Sequence, residues 1–249
     1  MVSETSVERN LVQAGQLLEQ AAAQGAELAV LPEYFCLMGL QDTDKLKVQE
    51  QFSAGPIQDF LRQSAPLATT ETTRARNSSL VFDPRGQCVA RYDKIHLFRF
   101  ENEKESYDES CVLEPGAQPV TFELPSVDGQ TYRIGMSICY DLRFPELYRR
   151  LKADILLVPS AFTFTTGQAH WEILLRARAI ENLAFVLASA QGGVHENKRK
   201  TWGHSMVIGP WGQILAEQAQ GAGVVVAEVL KETLQTARKR LPALDHAVL

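Results

Sequence analysis

Apolar residues along the chain alternate between helical spacing and short continuous runs, the sign of helices and strands in turn. Over residues 5–22, Val7, Leu11, Leu18 and Ala22 fall on one helical face, Thr5 and Glu8 have capping-box spacing, and Gly25 follows the end. Leu28 to Leu31 then reads as a buried strand. Ser79 to Phe82 and Cys88 to Tyr92 flank the turn sequence Asp83-Pro84-Arg85-Gly86 and predict a hairpin, with Lys94 just past its second strand. Further on, a strand from Arg133 to Ile138 runs directly into Cys139, and Pro145 opens a short helix with Phe144, Leu147, Tyr148 and Leu151 at helical spacing. Strand Ile155 to Val158, helix Gln168 to Glu181, strand Ala184 to Ala190, hairpin Ser205 to Glu217 and strand Val224 to Val229 complete an α/β alternation.

The two halves repeat one another. Ser79, Val81, Pro84, Gly86, Gln87 and Ala90 recur in the same order and spacing as Ser205, Val207, Pro210, Gly212, Gln213 and Ala216, and the strand ending in Pro32 matches the one ending in Pro159. Apolar strands in two related halves need cover on both faces, which predicts two packed sheets with helices outside, within one domain over residues 1–249. The strands at 133–138 and 184–190 have no counterpart in the first half. Only four residues precede the helix that starts at Thr5, and Ala65 to Asn77, rich in Thr, Arg and Ala, reads as loop. The expectation is a first sheet that lacks two strands.

Composition narrows the partners. Lys and Arg number 25 against 30 Asp and Glu, a net charge of -5, which argues against nucleic acid or an anionic membrane as the main partner. No apolar run reaches the ~18–20 residues of a membrane span, and Met1-Val2-Ser3-Glu4-Thr5 lacks the layout of a signal peptide, so a cytoplasmic protein is expected. Cys36, Cys88, Cys111 and Cys139 form no C-x-x-C pair, and His96, His170, His195, His204 and His246 show no metal-ligand spacing. No metal and no cofactor are expected. Ser137 and Ser205 lack the glycines of a nucleophile elbow, and Gly221-Ala222-Gly223 does not open a helix, so serine-hydrolase and dinucleotide readings are weak.

Three residues stand where chemistry is usually placed. Cys139 lies on a strand-to-helix turn, where a helix N-terminus favours a thiolate, although an inert buried cysteine fits the position equally well. Glu33 ends the run Leu28-Ala29-Val30-Leu31-Pro32, at the strand end where open α/β sheets keep their sites, and desolvation there would suit a general base. Lys94 ends Arg91-Tyr92-Asp93-Lys94 in the same way. Taken singly, Glu33 also reads as a loop carboxylate and Lys94 as a surface lysine.

Together, Leu31-Pro32-Glu33, Tyr92-Asp93-Lys94-Ile95-His96 and Gly135 through Cys139-Tyr140-Asp141-Leu142-Arg143-Phe144-Pro145-Glu146 resemble the three signature segments of the nitrilase, or carbon-nitrogen hydrolase, superfamily. The stretch from Pro159-Ser160-Ala161-Phe162 through His170-Trp171-Glu172 to Ile180-Glu181 is similar to the amidase branch, and within it to amidases of deaminated glutathione. The resemblance implies an αββα sandwich that pairs into homodimers or higher homo-oligomers, with no cofactor. It also implies Cys139 as nucleophile, Glu33 as general base, Lys94 as cationic stabiliser and Glu109, in Tyr107-Asp108-Glu109-Ser110, as a supporting glutamate. Glu109 also reads as one more carboxylate of an acidic stretch with Glu101, Glu103 and Glu105.

An amide is a poor electrophile and needs an activated nucleophile, a stabiliser of negative charge and a proton for its leaving nitrogen. The mechanism expected from the resemblance has Glu33 deprotonate Cys139, Lys94 and the Tyr140 N–H bind the oxyanion, Glu33 protonate departing ammonia, and water then cleave a thioester. The implied substrate is a small carboxylated amide cut at its terminal amide, deaminated glutathione first, with an α-ketoglutaramate-like monoamide as the alternative. Arg143, Phe162 and Thr163 are candidate substrate contacts, and Arg176 and Arg178 are possible carboxylate partners or structural salt bridges. The family normally has the two strands missing here, which implies a shortened enzyme with reduced or lost activity, or a non-catalytic remnant of the fold.

Overall fold

The computed structural model describes residues 1–62, 74–103, 106–246 and 248. Helix α1 (Val7–Ala23) is capped by Ser6, whose Oγ accepts the Arg9 N–H at 3.3 Å. The expected cap, Thr5, instead turns its hydroxyl and its N–H to the Glu196 carboxylate, which holds the chain start against the second half. Two short helices follow, α2 (Asp44–Lys47) and α3 (Pro56–Arg62), then the hairpin of β1 (Ser78–Phe82) and β2 (Cys88–Asp93). A smaller ladder, β3 (Arg99–Glu101) with β4 (Ser106–Asp108), leads into a 3-10 turn, Glu109–Cys111.

The second half builds a six-stranded sheet. Its elements in chain order are β5 (Thr121–Pro125), β6 (Thr131–Met136), α4 (Pro145–Leu151), β7 (Ile155–Leu157), α5 (Phe164–Asn182), β8 (Phe185–Ala188), the small ladder of β9 (Gly192–Val194) with β10 (Lys200–Trp202), β11 (Ser205–Ile208), β12 (Ile214–Gln218) and α6 (Lys231–Arg240). The strands lie in the order β12-β11-β8-β7-β6-β5, with β6, β7 and β8 parallel and the outer pairs antiparallel. On one face Met136, Leu156 and Val186 pack with Leu147, Tyr148 and Leu151 of α4 and Trp171, Leu175 and Ala179 of α5. On the other, Ile134, Ile155, Leu157 and Phe185 meet Leu234 of α6, with Leu28, Val30 and Val229 against them. Burying each such side chain contributes about 1.5–3 kcal/mol, so both faces must be covered for the sheet to persist.

The repeat read from the sequence is present in the backbone. Both hairpins break register one residue before the turn, between Val81 and Phe82 and between Val207 and Ile208. In each, a glycine sits in left-handed backbone, Gly86 at φ 72° and Gly212 at φ 82°, a conformation that costs glycine nothing. The turn hydrogen bonds match as well: Asp83 N–H to Gln87 O and Gly209 N–H to Gln213 O are both 2.9 Å.

Two expected strands do not form. Among the described residues, neither Leu28–Leu31 nor Val224–Val229 belongs to a ladder, and Ala29 is exposed rather than buried. A strand exists only with a neighbour about 4.8 Å away to take its N–H and C=O groups. These two runs keep their apolar contacts with the sheet, yet they face each other across a cavity of about 560 Å³ that Tyr132, Ile155 and Leu187 also line. The remaining expectation, a loop from Ala65 to Asn77, falls largely on residues outside those described.

Candidate active site

Four segments converge where β2 and β6 end. Lys94 directly follows β2, Cys139 lies three residues beyond β6, Glu33 follows Pro32, and Glu109 opens the 3-10 turn after β4. All four side chains are buried. Lys94 Nζ donates to Glu33 Oε1 at 2.9 Å and to Glu109 Oε2 and Oε1 at 2.8 and 3.1 Å, and the Cys139 side chain lines the same cavity. Cys139, Glu33, Lys94 and Glu109 thus lie around one site, and the residues singled out from sequence are brought together.

Each carboxylate is held by more than Lys94. Glu33 Oε1 also accepts from Asn77 Nδ2 at 2.7 Å, and Oε2 accepts the Ala161 N–H at 3.0 Å, while its backbone carbonyl takes Gln191 Nε2 at 3.2 Å. Glu109 Oε1 accepts the Tyr34 hydroxyl at 2.7 Å and Oε2 the Phe98 N–H at 2.8 Å. Bonds of this kind fix a side chain independently of the sheet beside it.

The charges follow from this geometry. Burial by itself would push Lys94 toward its neutral form, but Glu109 and Glu33, with Cys139 behind them, outweigh it and hold the ammonium well above its ordinary range. Burial works against Glu109 too, yet Lys94 and its hydrogen bonds bring that carboxyl down to about 2. Cys139 departs from expectation. Burial first, then the charge of Glu33, push its thiol well above the usual value, and Lys94 and the Ala161 N–H only partly oppose them. The helix-dipole argument fails because Cys139 opens a five-residue 3-10 turn, Cys139–Arg143, and the α-helix starts only at Pro145. Burial and the neighbouring Glu33 charge thus favour the protonated thiol.

The turn that carries Cys139 is strained and pinned. Cys139 sits at φ 48°, a left-handed conformation uncommon for a residue with a side chain. Asp141, fully buried, accepts from the Ile138 N–H at 2.9 Å, the His96 N–H at 3.1 Å and the Tyr92 hydroxyl at 2.7 Å, and His96 Nδ1 lies 2.7 Å from it. The Cys139 N–H donates to Pro159 O at 2.9 Å.

Around the cluster lies a cavity of about 20 Å³ lined by Tyr140, Arg143, Phe162, Thr163 and Arg199 among others. The guanidinium of Arg143 stands 5.5 Å from the Phe162 ring centroid and 5.8 Å from that of Tyr140. Arg176 and Arg178 are elsewhere. Arg176 donates to Gly212 O at 2.8 Å and Arg178 to Leu142 O at 2.7 Å, so both are structural. Tyr34, Asn77, Asp141 and Arg199 escaped the sequence reading, although Tyr34 and Asp141 lie one and two residues from Glu33 and Cys139. Among the described residues no group of three or more His, Cys, Asp and Glu is placed to hold a metal ion. No described helix is long and apolar enough to cross a membrane.

The carbon-nitrogen hydrolase family model matches residues 2–239. The chain belongs to the carbon-nitrogen hydrolase family. Among curated proteins, a deaminated glutathione amidase of Synechocystis is 40% identical, with 100% of this chain and 96% of that protein covered. Among solved structures, a carbon-nitrogen hydrolase superfamily protein of Xanthomonas campestris, with an arsenic adduct in its active site, superposes with TM-score 0.83 at 30% identity over 100% of this chain and 94% of that one. An amidase of Nesterenkonia, solved as the product of acrylamide addition at its active-site cysteine, matches with TM-score 0.73 at 26% identity over 97% of this chain and 95% of that one. This carbon-nitrogen hydrolase is an amidase with the α/β sandwich architecture of the nitrilase superfamily.

Proposed function

We propose that this chain is a cysteine-dependent amidase that hydrolyses deaminated glutathione through a thioester on Cys139. The observation that carries the reading is the buried cluster in which Lys94 Nζ bonds both Glu33 and Glu109 in the cavity that Cys139 also lines. The similarity to the Synechocystis deaminated glutathione amidase supports the substrate, and the adduct on the cysteine of the Nesterenkonia amidase supports the nucleophile.

Glu33 takes the thiol proton as sulfur attacks the amide carbonyl. Lys94, kept charged by Glu109, and the N–H of Tyr140 stabilise the oxyanion. Glu33 returns the proton to the leaving nitrogen, a thioester remains, and water activated by Glu33 releases the acid. Glu109 positions Lys94 and does not itself touch substrate. Arg143, Phe162 and Thr163 bind the acyl part.

Glutathione joins its glutamyl side chain to cysteinylglycine, so the amide of the deaminated form releases a dipeptide amine. Ammonia, and a terminal amide, belong only to the alternative substrate, α-ketoglutaramate.

A second reading, a catalytically impaired shortened form, is favoured by the two runs without a ladder. The Synechocystis alignment runs over 267 positions against 249 residues here, so at least 18 of its positions face gaps in this chain. The decisive assay measures cysteinylglycine release from deaminated glutathione and ammonia release from α-ketoglutaramate, for the chain and its Cys139→Ala variant. Preference for the first substrate, abolished in the variant, is the expected result. A folded protein without turnover of either substrate would refute the proposal in favour of the impaired form. A homodimer or larger homo-oligomer in the cytoplasm completes the proposal, and sedimentation would check the assembly.

A further inference from the structure

One buried polar atom near the site has no hydrogen-bond partner among the described residues. Arg199 Nε is enclosed and bonds to none of them, while Nη2 reaches only a long 3.3 Å contact with Ala161 O. A guanidinium offers five donors, and leaving a buried donor unmade is costly, so an acceptor belongs there.

The position of Arg199 indicates which acceptor. It lines the catalytic cavity with Cys139, Lys94 and Arg143, and it also lines a neighbouring groove of about 460 Å³ with Tyr34, Lys45, Lys198 and Lys200. Lys45 is neutralised by Asp42 at 3.0 Å, which leaves Lys198, Arg199 and Lys200 to give the groove a positive character. Arg199 is also firmly held. It closes a tight turn in which its O accepts the His195 N–H at 2.9 Å and its N–H meets Asn197 Oδ1 at 2.9 Å. The His195 ring is locked 2.8 Å from Ser3 O and 2.8 Å from Thr201 Oγ1. The guanidinium then rests 5.1 Å from the Tyr107 ring centroid.

We infer that Arg199 is the binding residue for a carboxylate on the leaving-group side of the substrate, so that the enzyme selects amides whose departing amine is a short peptide ending in a free carboxylate. The inference rests on the proposed function and deepens it. Arg143 faces the acyl part from within the small cavity, while Arg199 stands at the opening to the groove, through which a peptide tail leaves. A planar fork suits a carboxylate better than the two flanking lysines, Lys198 and Lys200, do.

The test compares kcat/KM for deaminated glutathione, for the same compound with its glycine carboxylate converted to an amide, and for α-ketoglutaramate, which has no tail. The chain and its Arg199→Gln and Arg199→Lys variants are used. Amidating the tail should cost the parent enzyme at least about tenfold, mainly in KM, the worth of a charge-assisted hydrogen bond. Arg199→Gln should lose a similar factor on the free acid and be nearly indifferent to tail amidation, with Arg199→Lys between. Equal falls on the tailed and tailless substrates would overturn the inference and leave Arg199 as a support for Ala161. A parent enzyme indifferent to tail amidation would overturn it without any variant. Turnover of neither substrate by the parent would overturn the proposed function and this inference together.

Discussion

The hydroxyl of Tyr92 donates to Asp141 Oδ2 at 2.7 Å, and neither side chain exposes any surface. Tyr92 belongs to β2 and Asp141 to the 3-10 turn Cys139–Arg143, so this bond ties the strand that delivers Lys94 to the turn that delivers Cys139. Tyr92→Phe should cost about 1.5–3 kcal/mol, the usual worth of a hydrogen bond to a charged group, and Asp141→Ala more, because three further donors or ring contacts lose their acceptor. Urea unfolding reads the first effect. If Asp141→Ala kept both its stability and its kcat, the turn would not depend on this carboxylate.

Glu109 gives a pH signature. Its carboxyl is depressed to about 2 from an ordinary 4.5, so the stability it contributes is full above about pH 4.5 and is lost as pH falls toward 2. Urea midpoints measured across that window should decline in the parent chain and decline less in Glu109→Gln. The variant should already be weaker at neutral pH, because Lys94 loses a buried partner, at a cost of about 3–5 kcal/mol for such a broken pair. Parallel declines in the two proteins would mean that Glu109 is not what acid removes.

The four cysteines should behave differently from a simple reactive-nucleophile pattern. Cys139 is buried with its thiol pushed up, and Cys36 is pushed up to about 12 by burial, whereas Cys111 is exposed. Iodoacetamide followed by peptide mapping should therefore mark Cys111 first. Cys139→Ala should lower kcat by a factor on the order of 1,000 or more, and Cys111→Ala should leave it within about twofold. Retained turnover in Cys139→Ala would remove the nucleophile from the scheme.

Hydrogen exchange addresses the two apolar runs. Amides of β6 and β7 lie in a central ladder, whereas those of Leu28–Leu31 and Val224–Val229 have no ladder partner among the described residues. The latter should exchange at least about 100-fold faster under native conditions. Protection equal to that of β7 would show that the runs acquire a partner in solution, for instance from a second copy of the chain.

Much of the site was legible because its residues end apolar runs. Glu33 follows Pro32, Lys94 follows β2 and Cys139 follows β6, and strand ends are where an α/β fold gathers its chemistry. The repeat was legible for a similar reason, since turn glycines at a positive φ leave a fixed mark in sequence. Asn77 and Arg199 were not. Each meets residues far along the chain, Glu33 for Asn77 and the Ala161 carbonyl and Tyr107 ring for Arg199, and no local pattern announces such contacts. The two failed strands show the converse: Leu28 to Leu31 has the composition of a strand, but composition cannot supply the neighbour that makes one. The raised thiol of Cys139 was missed because a strand-to-helix turn was assumed to place an α-helix N-terminus on the sulfur.

Glu33, Lys94 and Glu109 come from the first half of the chain and Cys139 from the second, which builds a six-stranded sheet where the described residues of the first half build two two-stranded ladders. The reactive centre is therefore a seam between a sturdy wall and a thin one. Warming such a molecule should separate the acids and the ammonium from the sulfur before the sheet melts, so turnover is expected to fall while the circular dichroism of the sheet still looks native. Activity in this protein is a gauge of how tightly its two halves are closed.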